Sequence, residues 1–480
     1  MIFPSLRITH YSLRHEFAWS LLAVLSCAVI ALTVNFQAGF FALLFALVAW
    51  WAWENDELSL LYLIVLAPLL PMFKITQTLG NFTLIKDVII VVLFVKAFAM
   101  PLWQQTLPYR RNMFSWPILA LLVYMAAALA MADSPTLGIL RAREIGLYML
   151  LYMAVLYMPY SPEIYTRRIK WFLSSATVLL LAGFYQWFFA PDGAVLRFDP
   201  VRSIWIPRIS STFAHPSVFG EYLILLSALL GTISITVKKW RLKAFLGLIA
   251  ILPFIYLTYS RGVWLGYASA ALAMCLAAIM VKAKLKTGVL RMWMVGFVSV
   301  VLLVLFLVMR FTPVGGFVQT AFDPSYASNQ IRLDFLARLI ASTSNTQAIF
   351  GHGLGDIDQK LFSGVPLDVN TIAEGDSRGI QLAKDSTLVD NHYLKTFIEM
   401  GLVGLFVYFW LYLKGLTLSW NLGKKDRTRL MGLAVFGFLV SFIVQALFVD
   451  IWDVFPTNLA FWIVAAHLSQ AALDNTRMNA

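Results

Sequence analysis

The residues with the most chemistry to offer flank a long polar stretch, about 312–391, in an otherwise apolar chain. It closes in Asp390-Asn391-His392-Tyr393-Leu394, and an apolar run at about 392–415 follows. On a helix His392, Lys395 and Glu399 fall at i, i+3 and i+7, along a single stripe. An imidazole titrates near neutrality, which suits His392 to general-base work; a histidine packed at a helix interface accounts for it equally well. Earlier in the chain, Arg208 precedes one apolar run and Arg261 stands between two others. A guanidinium presents a planar fork of donors that matches phosphate oxygens. Glu221 lies inside an apolar run, where a carboxylate is a functional candidate by default or else a structural partner for an arginine.

What must position these groups is a membrane-spanning bundle. Of the 480 residues 60% are hydrophobic and only 13% charged, and the mean hydropathy is +0.77. Repeated apolar runs near twenty residues long leave too little polar surface for a soluble domain. The expected fold class is an all-α polytopic membrane protein of roughly twelve to fourteen transmembrane helices with one large external loop. Candidate spans cover about 17–35, 38–53, 57–73, 82–100, 114–132, 139–159, 169–190, 216–237, 242–259, 261–281, 290–311, 392–415, 430–448 and 454–472. The net charge of +12 does not imply a nucleic-acid partner, because Lys and Arg cluster in short connections and form no continuous patch. Cys27 and Cys275 both fall inside apolar runs, so neither a disulfide framework nor a metal knuckle is on offer. Arg7 and Arg14 precede the first apolar run without a small-residue cleavage site after it, and a retained first helix is expected.

Charge sets the orientation of the bundle. Basic clusters at 110–111, 167–170, 238–243, 282–286 and 424–429 each follow an even number of spans, whereas the connections at 35–37, 133–135 and 450–453 are free of Lys and Arg. Both termini are then cytoplasmic and the polar stretch external. The connection at 54–57 is acidic where a basic one belongs, but acidic residues weigh little in this rule. Between Lys243 and Lys282, at about 1.5 Å per residue, the chain is just long enough to cross a roughly 30 Å core twice. Its midpoint, Ser260-Arg261-Gly262, must be external. Similar counting puts Arg208 outside, and His392 starts a helix whose far end reaches the cytoplasmic Lys424 cluster. Three groups distant in sequence thus meet at one membrane face. An arginine at a helix end commonly snorkels to headgroups, but on the disfavoured side of a tight hairpin an anionic partner explains Arg261 better. Arg208 is as well explained by solvation as by a ligand, and His215, before Pro216, reads as a capping residue.

The chain divides into N-terminal helices at 1–190, a domain at 191–472 that includes the external loop 312–391, and a tail at 473–480. A loop of roughly eighty residues should hold structure of its own. Ile331, Phe335, Leu336, Leu339 and Ile340 recur at helical spacing and predict an amphipathic helix at 330–342 carrying Arg332 and Arg338. Gly351-His352-Gly353-Leu354-Gly355 lacks the Lys-Ser/Thr of a phosphate-cradling loop, and Asp356-Ile357-Asp358 is too short a pattern to argue a metal.

Taken in order, Arg208-Ile209-Ser210-Ser211-Thr212-Phe213-Ala214-His215-Pro216, Tyr259-Ser260-Arg261-Gly262-Val263-Trp264, Phe350-Gly351-His352-Gly353-Leu354-Gly355 and Asp390-Asn391-His392-Tyr393-Leu394 resemble the O-antigen ligase and O-antigen polymerase superfamily. The resemblance covers about 208–415. It implies a metal-independent, inverting glycosyltransferase without cofactors in the bacterial cytoplasmic (inner) membrane, serving cell-envelope polysaccharide synthesis. The implied donor is a glycan on polyprenyl (undecaprenyl) diphosphate, and the acceptor a glycan or a lipid. It assigns the diphosphate to Arg261 and Arg208, and less securely to Arg332. Ligases of the family show His-Asn before the aromatic-Leu pair, and alignment on Asn391 puts Asp390 in that histidine's place. Asp390 and His392 are both candidate bases, with Lys395, Glu399 and Glu221 in support. The departure favours polymerisation over ligation, with a transporter of lipid-linked glycans as the alternative of another class.

Overall fold

Backbone polar groups in a bilayer must find partners within their own segment, which helices provide. The computed structural model describes residues 36–66, 68–70, 84–106, 112–189, 195–199, 204–213, 215–282, 337, 343–355, 391–450, 452 and 455–479. Its main helices are α1 (Phe36–Glu54), α2 (Asp56–Leu66), α3 (Ile85–Phe94), α4 (Ser115–Ala130), α5 (Pro135–Tyr157) and α6 (Pro162–Phe189). They continue with α7 (Pro216–Thr236), α8 (Arg241–Leu257), α9 (Arg261–Lys282), α10 (Asn345–Phe350), α11 (His392–Gly423), α12 (Arg429–Gln445) and α13 (Phe455–Asn479). Among the described residues four helices are long and apolar enough to cross a membrane, and further apolar helices are shorter. The expected spans at 17–35 and 290–311 and the amphipathic helix at 330–342 lie outside the described residues, apart from helical Ala337. The architecture is that of an all-α membrane protein.

One departure is local. The segment before α7 carries an antiparallel hairpin of β1 (Val195–Asp199) and β2 (Ile204–Arg208), with Val195 opposite Arg208. Ile204, Trp205 and Ile206 are strand-favouring types, and in a two-stranded ribbon Pro207 costs the pairing little.

Small residues bring the central helices close. A Cβ on Gly220 would stand 2.2 Å from Val263, and one on Gly266 2.6 Å from Gln445, so α7, α9 and α12 meet nearly backbone to backbone. Between α11, α12 and α13 an aromatic cluster that includes Trp452, Trp462, Phe442 and Phe461 fills the core. Trp452 donates its indole N–H to Tyr412 Oη at 2.7 Å, which satisfies the polar edge of a fully buried ring.

Two backbone bonds fix which chain ends lie together. His392 N donates to Ala446 O at 2.9 Å, and Ile209 N to Leu257 O at 3.0 Å. The starts of α9 and α11 therefore share one end of the bundle with the finishes of α8 and α12. The clusters at 167–170, 238–243 and 424–429 lie at the other end. There Glu57, in the anomalous acidic connection, pairs with Arg168 and, at 3.2 Å, with Arg167. The acidic residue is accounted for by its basic neighbours.

Candidate functional site

The helix that carries most of the candidates is broken soon after it begins. Asn391 caps α11 by accepting from Leu394 N at 3.1 Å, and the backbone then turns at Gly401 to φ +60° and ψ −164°. Such a break orphans carbonyls in the turn before it. Those of Ile398 and Glu399 accept from His352 N at 2.8 Å and Gly353 N at 3.2 Å. Gly351 (φ +84°) and Gly353 (φ +112°) reach these positions in backbone conformations that glycine adopts without a Cβ penalty. The glycine-rich stretch is thus a cap that seats the external loop on α11, and Leu354 N extends it to α4 through Ala128 O at 3.2 Å.

On the short helical segment above the break, the predicted stripe enters a buried charge network. Arg141 of α5 donates Nε to both Glu399 oxygens, at 2.9 and 3.0 Å. Its Nη2 lies 3.7 Å from Asp450 Oδ2, which Lys395 Nζ approaches to 3.1 Å. His392 Nδ1 is 3.2 Å from Asp450 Oδ1, and its Nε2 is 3.3 Å from Thr396 Oγ1. Two cations and two carboxylates balance, as charges taken out of water require. Burial pushes the Asp450 carboxyl up, but Lys395, the His392 hydrogen bond and Arg141 hold it well below the ordinary carboxylate range. His392 is 1% exposed and has the Tyr408 ring edge-on at 4.9 Å.

The arginines singled out by sequence lie at the same end. Arg208 donates Nε to Thr258 O at 2.8 Å, which pins β2 on the turn leading into Arg261. Ser260 Oγ meets Ser217 Oγ at 3.0 Å and ties that turn to α7. Both arginines are buried, at 7% and 9% exposure. A Cβ on Gly262 would meet Phe448 at 2.7 Å, so the head of α9 abuts the chain two residues before Asp450. Glu221, buried on α7, sits beside Thr457 with Asp450 also near. His215 caps α7, its Nδ1 accepting from Ser217 N at 3.2 Å.

Arg208, Glu221, Arg261, His392, Lys395 and Glu399 are therefore gathered at one end of the bundle. Arg332, Arg338, Asp356, Asp358 and Asp390 lie outside the described residues. Sequence reasoning missed Arg141 and Asp450, the two residues that knit the network together. For Arg141 a signal existed: like Arg261, it is an arginine beside an expected external connection, where the positive-inside rule disfavours it. Among the described residues no group of three His, Cys, Asp or Glu is placed to hold a metal ion.

Comparison with known proteins bears on the same region. No curated protein matches the chain. Residues 244–409 match the profile of the family described as O-antigen ligase. Arg261, His392, Lys395 and Glu399 fall inside that stretch, and Arg141, Arg208, Glu221 and Asp450 outside it. By this match over 244–409 the chain is assigned to the O-antigen ligase and polymerase family.

Proposed function

We propose that the protein is a membrane glycosyltransferase that polymerises or transfers glycan units carried on a polyprenyl diphosphate, at the outer face of the cytoplasmic membrane. The observation that carries this reading is the tie from Arg208 to Thr258, three residues before Arg261 in a stretch matching the family. It sets two buried guanidiniums at one bundle end, as a bidentate diphosphate site needs. In the reaction the acceptor hydroxyl oxygen attacks the anomeric carbon from the face opposite the leaving group. The bond from that carbon to the phosphate oxygen breaks, and the arginines stabilise the charge that develops on the departing diphosphate.

The proton of the acceptor goes to a base. Both ring nitrogens of His392 are engaged within the packing, which favours Asp390, just ahead of the cap residue Asn391, for this step. His392 then helps to hold the network. Asp390→Asn should lower turnover by about 10²–10⁴-fold in folded protein, whereas His392→Ala should act first on stability. A near-normal rate from Asp390→Asn would exclude Asp390.

A ligase is the second reading, favoured by the family description itself. Purified protein given lipid-linked oligosaccharide decides between them. A ladder of longer glycans means polymerisation, and transfer to a second acceptor means ligation. Unchanged donor that crosses a liposome bilayer would instead mean transport and overturn both.

A further inference from the structure

At the end of the bundle away from these residues, α8 and α9 separate. Both pack along α7 but touch each other little, and a groove of about 680 Å³ opens between them. Gly231 of α7 forms part of its floor, and Phe245, Leu248, Ala271 and Met274 its walls. The outward face of α8 is apolar and exposed at Leu246, Ile249 and Leu252, as expected for a helix in contact with acyl chains. Lys238, Lys239 and Arg241 stand at the mouth of this groove. Arg241 donates Nε to Ser234 O at 3.1 Å, which fixes its guanidinium there. Half-exposed Trp240 sits between them with Lys243 Nζ 5.0 Å from its ring, a grouping typical of the membrane interface.

The charge at this mouth differs from that of the neighbouring basic clusters. Arg167 and Arg168 are paired with Glu57, Arg427 with Asp474, and Arg429 with Asp426. Among the described residues Lys238, Lys239 and Arg241 have no carboxylate partner, and the groove lining contains none. A cationic rim over an apolar slot that opens to lipid is complementary to one class of molecule. We propose that this groove is a binding site for an anionic phospholipid, whose phosphate is held by Lys238, Lys239 and Arg241 while an acyl chain lies against Phe245, Leu248 and Met274. Gly231 and Ala271 leave the space that the chain occupies.

Native mass spectrometry of the full-length protein, titrated with phosphatidylglycerol or phosphatidylcholine in detergent, tests the site without reference to glycan transfer. Wild type should retain phosphatidylglycerol at least about tenfold better than phosphatidylcholine. Replacing Lys238, Lys239 and Arg241 together with Ala should bring that ratio close to unity, and Lys238→Arg with Lys239→Arg should keep it. Ala271→Trp fills the slot while leaving the rim intact, and should lose the tightly held phosphatidylglycerol. Equal retention of the two lipids by wild type would overturn the proposal. So would an Ala271→Trp variant that still holds phosphatidylglycerol as wild type does, since the charge would then act from the surface alone.

Discussion

Two basic regions at opposite ends of the bundle make an instructive pair. Arg141 and Lys395 are buried and end on Glu399 and Asp450, so their charge is used up within the protein. Lys238, Lys239 and Arg241 are exposed at a groove mouth and have no carboxylate partner among the described residues. The same side-chain types thus do different work according to what balances them. In a dry interior a cation must carry its anion with it, and the pair then fixes geometry. At the rim of an apolar slot the anion is left to the lipid. Arg208 and Arg261 belong to the end of the balanced network, held in place by the turn at Thr258 and Ser260.

The contrast can be broken most sharply through the arginines proposed to bind diphosphate. Arg261→Ala should abolish turnover of lipid-linked oligosaccharide while membrane insertion and expression hold, as shown by activity assay beside quantified membrane protein. Unimpaired synthesis would remove the diphosphate role. Next in size is the network itself. Glu399→Leu strands Arg141 in the interior and should cost about 3–5 kcal/mol, read as a fall in thermal stability in detergent. By comparison, single alanine substitutions at Lys238 or Lys239 should stay within about 0.5 kcal/mol. If Glu399→Leu proved as mild as these, the two regions would not differ as described.

Gly401 offers a smaller effect. Its φ of +60° and a Cβ that would lie 2.3 Å from Ile349 O mean that Gly401→Ala must shift the cap around Gly351. A loss of about 1–3 kcal/mol is expected, seen as earlier proteolysis of the external loop as well as a lower melting temperature. Smallest is the pH dependence of Asp450. Its folded-state pKa is depressed, so its stabilising contribution is complete above the unfolded value of about 3.9 and is lost as pH falls towards the folded one. Wild type should therefore lose stability between about pH 5 and 2 more steeply than Asp450→Asn, by thermal melts across that range.

Much of this was legible in the sequence, for a definite reason. Counting residues between basic clusters fixes helix ends, and helix ends put Arg208, Arg261 and His392 at one end before any contact is known. The stripe of His392, Lys395 and Glu399 follows from helical period alone. Pairings across the bundle do not, because they depend on packing between helices far apart in the chain. Arg141 reaches Glu399 across 258 positions, and His392 reaches Asp450 across 58. The glycines at 351 and 353 show the same limit. Their motif is local, but the carbonyls that they cap exist only because α11 breaks at Gly401. The hairpin of β1 and β2 was hidden in a stretch too short and too mixed to stand out from a connection.

Sidedness is the most direct test of the account. With Cys27 and Cys275 replaced by serine, single cysteines at exposed Asp133 and His215 report the end that holds the arginines, and cysteines at exposed Lys239 and Lys425 report the other. In intact cells a membrane-impermeant thiol reagent should label positions 133 and 215, and should reach 239 and 425 only after permeabilisation. Labelling of 239 and 425 in intact cells, with 133 and 215 protected, would put the arginines on the cytoplasmic side and contradict transfer at the outer face.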